Sequence, residues 1–325
     1  MTAEVRSLAI LMTVMLFSRL GLDPVPRHLP FLPVLDSLGS PEQWVFGLSL
    51  LYCAGGLLVV SGRFLQAGCL LTGAVVLLRV LGNMPLFSNG RFLDGLLLVL
   101  LALYSPNRGK VFLRCQFLLV YAGAALNKSL DADWWNGRFV AATLDFHVSP
   151  ELADLLAPWT TAAGIGSIVT EAAILGLLLV PRLRPYGVAL LLVFHTSLLV
   201  LLREDFGTFY YTLSLAGPLL FLEWPKPRET AMPSAELAWL ARHSVMQAFR
   251  EAPVILGPPR ITFAGGELAG APALAFSAAF SLPVLACAVA VLPHVRLLSD
   301  FVIAAFVLAI LLLGIAARRA AFRVA

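Results

Sequence analysis

The 325-residue chain is far more apolar than a soluble protein, since 59% of its residues are hydrophobic and only 13% are charged. Soluble domains average roughly 45–50% apolar and about 25% charged residues, so the composition argues against a water-soluble domain and predicts an integral membrane protein. The net charge of +4 requires no nucleic-acid partner, because basic residues on loops that face the cytoplasm account for it.

Ten apolar segments approach the length that a membrane-crossing helix needs. Polar or Pro- and Gly-rich joints such as "LGSPEQ" and "PRLRPYG" separate them. The first segment has a signal peptide as its alternative, but "FSRLGLD" lacks a small-residue cleavage site, so we interpret the segment as a helix. In chain order the predicted spans are 6–22, 44–61, 64–82, 91–104, 111–127, 160–180, 186–202, 207–222, 273–292 and 298–317.

The Lys and Arg residues are distributed unequally between the two sides of this predicted bundle. With a cytoplasmic N-terminus and ten spans, 14 of them lie on the inner side, 6 on the outer side and 3 within spans. Cytoplasmic loops are normally the richer in Lys and Arg. We therefore predict an all-α, polytopic transmembrane helical bundle of about eight to ten spans, with its N-terminus in the cytoplasm, in the cytoplasmic (inner) membrane of a cell.

The character of the chain changes after the eighth apolar segment. Residues 1–225 are predicted to form the membrane domain, 226–272 a cytoplasmic amphiphilic loop and 273–325 a C-terminal transmembrane hairpin. The stretch "ELAWLARHSVMQAFR" puts apolar residues along one helical face, which favours a helix in the membrane interface or one packed beneath the bundle. The stretch "RITFAGGELAG" predicts a short β-hairpin.

Titratable side chains inside the apolar segments are informative, because an unpaired charge in hydrocarbon costs at least about 2.5–3.5 kcal/mol. Glu171 lies in the middle of "SIVTEAAILG", with Arg79 and Arg114 in other spans as predicted counter-ions. A purely structural ion pair is the alternative. His195, in "LLVFHTSLLV", is either a proton carrier or ligand, or a histidine hydrogen-bonded to a neighbouring helix. No metal site is predicted, because neither the histidines nor the four cysteines have metal-binding spacing.

The polar stretch "NKSLDADWWNG" directly follows the fifth apolar segment. Trp134 and Trp135 suit the membrane interface, where indole rings concentrate. Asp131 and Asp133 are predicted to cap or close the preceding helix. Lys128 is either a partly desolvated amine that acts as a base or a lysine whose ammonium reaches the membrane surface.

Longer stretches resemble the vitamin K-dependent gamma-carboxylase family. "LRCQFLLVYAGAALNKSLDADWWNG" is similar to the family's stretch in which a membrane helix ends in a lysine followed by Leu-Asp-Ala-Asp-Trp. "FHTSLLVLLREDFGTFYYTLSLAGPLLFLEWP" (194–225) is similar to its later block of Phe-His, Gly-x-Phe, Pro-Leu-Phe and Glu-Trp-Pro. "HLPFLPVLDSLG", "SNGRFLDGLL" and Glu171 fall in the expected order. Over roughly residues 10–226 the chain therefore resembles the horizontally transferred transmembrane (HTTM) domain, the bacterial relative of the carboxylase's membrane half.

The resemblance implies chemistry on reduced vitamin K or menaquinol. In that chemistry a basic amine deprotonates the quinol, oxygenation yields a strong base, and this base removes a glutamate gamma proton before carbon dioxide adds. A dry, apolar cavity is needed because water would quench both reactive anions. The residues that we nominate are Lys128, His195 and Glu171 for catalysis, facing one outward-opening cavity, and Asn89, Tyr121, Trp134 and Phe209 for cofactor contact.

The chain departs from the family at two positions. Ser129 stands where the family's lysine directly precedes Leu-Asp-Ala-Asp-Trp, and Lys128 comes one residue earlier, which is about 100° of rotation on a helix. Gly90 follows Asn89 where the family has a histidine.

The sequence is compatible with three functions. The first is a quinol-dependent carboxylase or epoxidase that acts on a peptide, protein or lipid. The second is a non-catalytic scaffold or partner protein that binds a lipid or a quinone, which the two departures favour. The third is a transporter, which an inverted repeat with Gly- or Pro-broken helices would indicate, and the sequence contains no such repeat. Membrane lipids are predicted partners in each case.

Overall fold

The computed structural model is mostly helical, which confirms the predicted all-α class. It describes residues 2–19, 41–82, 87–105, 109–202, 209–223, 229–244, 252–263 and 266–291. The helices of the main body are α1 (Ala3–Arg19), α2 (Pro41–Ser61), α3 (Leu65–Gly82), α4 (Asn89–Ala102), α5 (Val111–Leu130), α6 (Ala132–Trp135), α7 (Arg138–His147), α8 (Pro150–Leu156), α9 (Thr160–Leu179), α10 (Arg184–Leu202) and α11 (Phe209–Phe221). Behind them follow α12 (Ala235–Arg242), α13 (Ala271–Ala279) and α14 (Leu282–Val291).

The first eight predicted apolar segments are helices, with bounds close to those expected. The prediction of a single helix over the ninth segment, 273–292, is wrong, because the helix is interrupted between α13 and α14. At the break Ser281 forms a bridge with Ser244, and the amide of Leu282 donates to the His243 carbonyl over 2.7 Å. These bonds tie the break to the end of α12. The tenth segment, 298–317, lies outside the described residues.

By length and composition, two helical stretches of the described chain could cross a membrane. They are Leu65–Gly82 and the run Pro150–Leu179, in which α8 continues through a 3₁₀ turn into α9. The stretches Phe46–Ser61 and Phe209–Phe221 are also apolar but shorter. The larger number of spans therefore remains a prediction.

Close helix packing organises the main body. α3 packs against α2 and α4, while α5, α9, α10 and α11 pack in sequence against one another, and α11 also contacts α1 and α4. A Cβ on Gly73 of α3 would lie only 2.7 Å from the Gly95 carbonyl oxygen of α4. Glycine at both positions lets these two backbones approach closely, as small residues do in membrane helix pairs.

Basic side chains hold the C-terminal end of α11. Lys110 Nζ donates to the Leu219 carbonyl and Arg114 Nε to the Leu220 carbonyl, each over 2.7 Å. Cations at this end complement the helix dipole and satisfy carbonyls that the helix leaves unpaired. Burial lowers the pKa of Lys110, which precedes α5, and the nearby Glu4 carboxylate opposes this effect.

The segment predicted as an amphiphilic loop contains a small antiparallel sheet of β1 (Glu229–Ala231), β2 (Arg260–Phe263) and β3 (Gly266–Ala269). The predicted hairpin is confirmed, since Phe263 of β2 pairs with Gly266 of β3. Strand β1 was not predicted from the sequence, because three residues show too little apolar–polar alternation to be recognised as a strand.

The predicted helix within the same segment is also present but short. α12 begins after Ser234, whose hydroxyl accepts from the Leu237 amide, and the helix ends at Arg242. Ala238 and Ala241 are buried, whereas Trp239 is exposed. This helix therefore packs one face against the protein and presents an indole on the other.

Candidate functional site

Lys128 and Glu171 form an ion pair between α5 and α9. Lys128 Nζ lies 2.9 Å from Glu171 Oε1 and donates to Ser167 Oγ over 2.7 Å. The side chain of Lys128 is only 17% exposed and that of Glu171 only 9%. Ser167 and Glu171 are one turn apart on α9, so both face the lysine. The sequence nominated both charged residues, but it missed Ser167, whose four-residue spacing from Glu171 was the available signal.

The prediction that Arg79 or Arg114 neutralises Glu171 is wrong. Among the described residues, the cation paired with Glu171 is Lys128. Arg114 is occupied at the end of α11, 5.8 Å from the centre of the Phe221 ring. The sequence could not separate these choices, because the neighbour of α9 depends on how the helices pack.

The turn after α5 positions the lysine and one tryptophan. Asp131 ends α5 and caps α6, where its carboxylate accepts from the Asp133 amide over 2.9 Å, as predicted for an aspartate at this helix end. α6 then places Trp134 so that its ring centre lies 4.2 Å from Lys128 Nζ. This is a cation–π distance, and it adds a third contact to the ammonium.

Trp134 in turn is fixed from two sides. Its ring stacks on Phe139 of α7 with centroids 4.3 Å apart. Gly164 of α9 lies directly against the Trp134 carbonyl, where a Cβ would collide with the backbone. Trp135 is oriented separately, because its Nε1 donates to the Ser129 carbonyl over 2.8 Å. The two tryptophans thus have different roles, and only Trp134 contacts the ion pair.

Tyr121 and His195 form a second polar contact, deeper in the bundle. The Tyr121 hydroxyl lies 2.5 Å from His195 Nε2, and both residues are about 1% exposed. Tyr121 precedes Lys128 by seven residues, which is about two helical turns, so the two share one face of α5. That face therefore supplies both the phenol and the ammonium.

Aromatic rings surround the imidazole. The centroid of His195 lies 5.1 Å from that of Tyr210, 5.3 Å from that of Phe194 and 5.9 Å from that of Tyr121. Phe209 lies one layer further out, 5.6 Å from Tyr210 in an edge-on arrangement. Phe209 was the residue predicted from the sequence, but the ring that packs against His195 is that of Tyr210.

The two contacts belong to one group of side chains, which we call the interior cluster: Lys128, Ser167, Glu171, Tyr121 and His195. Lys128 is close enough to His195 to interact with it electrostatically, and Glu171 is similarly close to Tyr121 and to Tyr210. All three predicted catalytic residues are therefore brought together. The outward-opening cavity predicted for them remains a prediction.

Two atoms of the interior cluster are buried without a hydrogen-bond partner in the described part of the chain. They are Glu171 Oε2 and His195 Nδ1. Most buried polar atoms in proteins are hydrogen-bonded, so such an atom calls for an explanation, and a bound ligand is one. The first is a carboxylate acceptor and the second belongs to an imidazole that can donate or accept.

The nominated Asn89 and the departing residue Ser129 both lie outside the interior cluster. Asn89 is exposed in the first turn of α4, and within the described residues no hydrogen bond joins it to the cluster. Ser129, at the family's lysine position, donates to the Leu126 carbonyl of its own helix. Lys128 is therefore the residue that α5 turns towards Glu171, despite its displacement by one position.

A second buried polar group was not nominated from the sequence. The Thr212 hydroxyl on α11 donates to the carboxyl of Asp94 on α4, and both residues are fully buried. Tyr52 lies within electrostatic reach of both Arg79 and Asp94. A lone carboxyl within the apolar segment 91–104 was the available signal, of the same kind that identified Glu171.

Comparison of the chain with protein-family models, with curated proteins and with solved structures finds no match. The resemblance to the HTTM domain thus rests on the quoted motifs alone. In the described part of the chain, no group of three or more His, Cys, Asp or Glu side chains could hold a metal ion.

Proposed function

We propose that the chain is a multi-pass membrane protein whose interior cluster binds and deprotonates a reduced quinone. Support for the membrane location comes from the large apolar side chains exposed along its helices. Phe46 and Leu57 of α2, Leu119 of α5 and Val169 of α9 are all 60% or more exposed. Soluble monomers rarely expose contiguous apolar surface on this scale, whereas lipid requires it.

One face of α5 illustrates the surface that lipid would cover. Phe112, Cys115, Leu119, Leu126 and Leu130 are exposed and recur at intervals of three, four or seven residues, so they form one stripe along the helix. Tyr121 and Lys128 lie on a different face, inside the bundle. In the orientation favoured by the Lys and Arg distribution, the C-terminal end of α5 and the interior cluster lie towards the outer side.

The contact between Lys128 and Glu171 carries the functional proposal. Glu171 Oε2 is the buried acceptor that can take a proton from a ligand hydroxyl, while Oε1 stays bound to the lysine. The adjacent ammonium of Lys128 then stabilises the oxyanion left on the ligand. The pair therefore acts together as the base, with Glu171 receiving the proton and Lys128 holding the developing charge.

A quinol fits this arrangement better than an alkyl alcohol does. Its hydroxyl is a weak acid, and its flat ring matches the aromatic side chains around His195. By analogy with the family that the sequence resembles, the quinolate would react with dioxygen, and the resulting base would allow carbon dioxide to add to a glutamate side chain. The proposed products are a quinone epoxide, a gamma-carboxylated glutamate and water.

The experiment that tests this function uses purified protein in lipid nanodiscs, menaquinol or reduced vitamin K, a glutamate-containing peptide and labelled bicarbonate. We expect label in the peptide and epoxide in the lipid fraction. Lys128→Ala and Glu171→Gln should abolish both products, whereas Ser129→Ala, which alters the neighbouring side chain on another face, should leave them unchanged. Product formation that survives in Lys128→Ala and Glu171→Gln would contradict the assignment of the base.

The second candidate function is a non-catalytic quinone- or lipid-binding protein. It is favoured by the number of contacts on Lys128, whose ammonium is bound by Ser167, Glu171 and the Trp134 ring. A lysine held by three partners is well suited to fixing helix positions. Quinone binding that depends on the interior cluster, together with neither epoxide nor labelled peptide, would support this candidate over the first.

A further inference from the structure

The surroundings of Tyr121 determine where the proton of His195 lies. The Tyr121 hydroxyl is buried, and the described residues offer it one hydrogen-bond partner, His195 Nε2. If Nε2 carried a hydrogen, in a neutral or a charged ring, it would donate to the phenolic oxygen. The phenolic hydrogen would then be buried without an acceptor, which is unfavourable.

The alternative leaves no such defect at Tyr121. The phenol donates its hydrogen to Nε2, and the neutral imidazole carries its own hydrogen on Nδ1. In this arrangement the group without a hydrogen-bond partner is the N–H at Nδ1, which is buried and has no partner among the described residues. An N–H group in that position needs an acceptor, and neighbouring side chains of the described chain do not supply it.

We infer that Tyr121 holds His195 as the Nδ1–H tautomer and that this N–H donates to an oxygen atom of a ring-shaped, largely apolar ligand. The nature of the ligand rests on the proposed function, where the oxygen is that of a quinone carbonyl or a quinolate. The tautomer rests on the contacts of Tyr121 alone. His195 is therefore a ligand-positioning donor rather than the base.

Together the two unsatisfied atoms define a polarity for the site. Glu171 Oε2 accepts a hydrogen bond and His195 Nδ1 donates one. A quinol hydroxyl can satisfy the first and another ligand oxygen the second. A fully oxidised quinone can satisfy only His195, because it has no hydroxyl to donate to Glu171. The site is thus expected to prefer the reduced form and to retain a weaker affinity for the oxidised one.

Two substitutions of the same residue separate the roles of the ring nitrogens. The amide nitrogen of asparagine occupies about the position of Nδ1, and that of glutamine reaches about the position of Nε2. We expect His195→Gln to weaken menaquinol binding to the protein in nanodiscs about tenfold, the value for one lost hydrogen bond. The loss in His195→Asn should be several-fold smaller than that in His195→Gln, because the asparagine amide keeps a donor near the position of Nδ1. Equal losses in the two variants, or the reverse order, would overturn the inference.

The tautomer can be measured without any ligand. Nitrogen-15 NMR of histidine-labelled protein distinguishes Nδ1–H from Nε2–H, and the signal lost in His195→Asn identifies His195 among the five histidines of the chain. We expect Nδ1–H in the unaltered protein and a mixture of tautomers in Tyr121→Phe. Nε2–H or a doubly protonated ring would overturn the inference. Failure of the unaltered protein to bind menaquinol would instead contradict the proposed function, while the nitrogen signals still decide the tautomer.

Discussion

Lys128 Nζ and Glu171 Oε1 lie 2.9 Å apart although 43 residues separate them in the chain. The contact joins α5 to α9 at a point where both helices are otherwise mostly apolar. It also explains how a lysine displaced by one residue from its position in the resembled family can face the interior. α5 presents Tyr121 and Lys128 on one face and places Ser129 next to its own backbone.

The ion pair predicts a characteristic pattern of stability losses. Lys128→Met leaves the buried Glu171 carboxylate without its cation, and Glu171→Leu leaves the buried ammonium without its carboxylate. Each should reduce the free energy of unfolding by about 3–5 kcal/mol, whereas the double substitution should cost much less than the sum. Denaturant unfolding of the protein in mixed micelles measures all three. Additive losses would show that the two side chains do not interact.

The ion pair of Arg138 and Asp133 provides the matched control for these substitutions of Lys128 and Glu171. They lie near the same end of α5, 3.7 Å apart, but are 78% and 49% exposed. An exposed pair contributes about 0–1 kcal/mol, so Arg138→Met should hardly change the unfolding free energy. A loss equal to that of Lys128→Met would mean that burial does not distinguish the two pairs.

The displacement of the lysine predicts the result of moving it back. In the double substitution Lys128→Ser and Ser129→Lys, the ammonium is rotated by about 100° around α5 and leaves Glu171. We expect menaquinol binding to fall to the level of Lys128→Ala. Ser129→Lys alone, which keeps Lys128, should bind nearly normally. Full binding by the double variant would show that position 129 also reaches the interior cluster.

Local pattern predicted the helices well, because apolar length and breakers depend on neighbouring residues. The bounds of α3, α5 and α9 are close to those expected. The partner of Glu171 was predicted wrongly, because it depends on which helices pack together. Asp94 was overlooked although its position in an apolar segment was visible in the sequence, whereas its contact with Thr212 depends on helix packing. The break at Ser281 was missed for a similar reason, since its bonds to Ser244 and His243 come from the distant α12 region. The membrane span predicted over residues 298–317 lies outside the described residues and remains a prediction.

Two glycines on α9 test whether Trp134 must lie close to that helix. A Cβ on Gly164 would collide with the Trp134 carbonyl, whereas one on Gly166 meets nothing within 4 Å. Both alanine substitutions gain about 1 kcal/mol of helix propensity. We expect Gly164→Ala nevertheless to be roughly 1–3 kcal/mol less stable than Gly166→Ala, because of the steric conflict. Unfolding of the two variants under one condition gives the difference. Equal stability would mean that α6 can move away without cost.

The buried contact between Thr212 and Asp94 predicts a difference between two conservative substitutions. Thr212→Val keeps the volume but removes the donor to the Asp94 carboxyl, which should cost about 1–3 kcal/mol. Thr212→Ser keeps the hydroxyl and loses one methyl group, worth about 0.8 kcal/mol. The midpoint of thermal unfolding in detergent should therefore be lower for Thr212→Val than for Thr212→Ser. The opposite order would show that packing, and not the hydrogen bond, is what Thr212 supplies.

Cys115 tests whether the apolar stripe on α5 faces lipid. Its side chain is exposed on the protein surface, together with Phe112 and Leu119. In water an exposed cysteine reacts with maleimides, because a fraction of it is thiolate. Within hydrocarbon neither the thiolate nor a charged reagent is stable, so Cys115 should resist a charged, membrane-impermeant maleimide in intact membranes and react after solubilisation in denaturant.

Asn136→Cys, in the turn between α6 and α7, should react in intact cells if this turn lies on the outer side, as the Lys and Arg distribution predicts. For this comparison Cys115 is kept as the only native cysteine, the other three being replaced by serine or alanine. Rapid labelling of Cys115 in intact membranes would contradict a lipid-facing α5, and labelling of Asn136→Cys only after the membrane is opened would invert the proposed orientation.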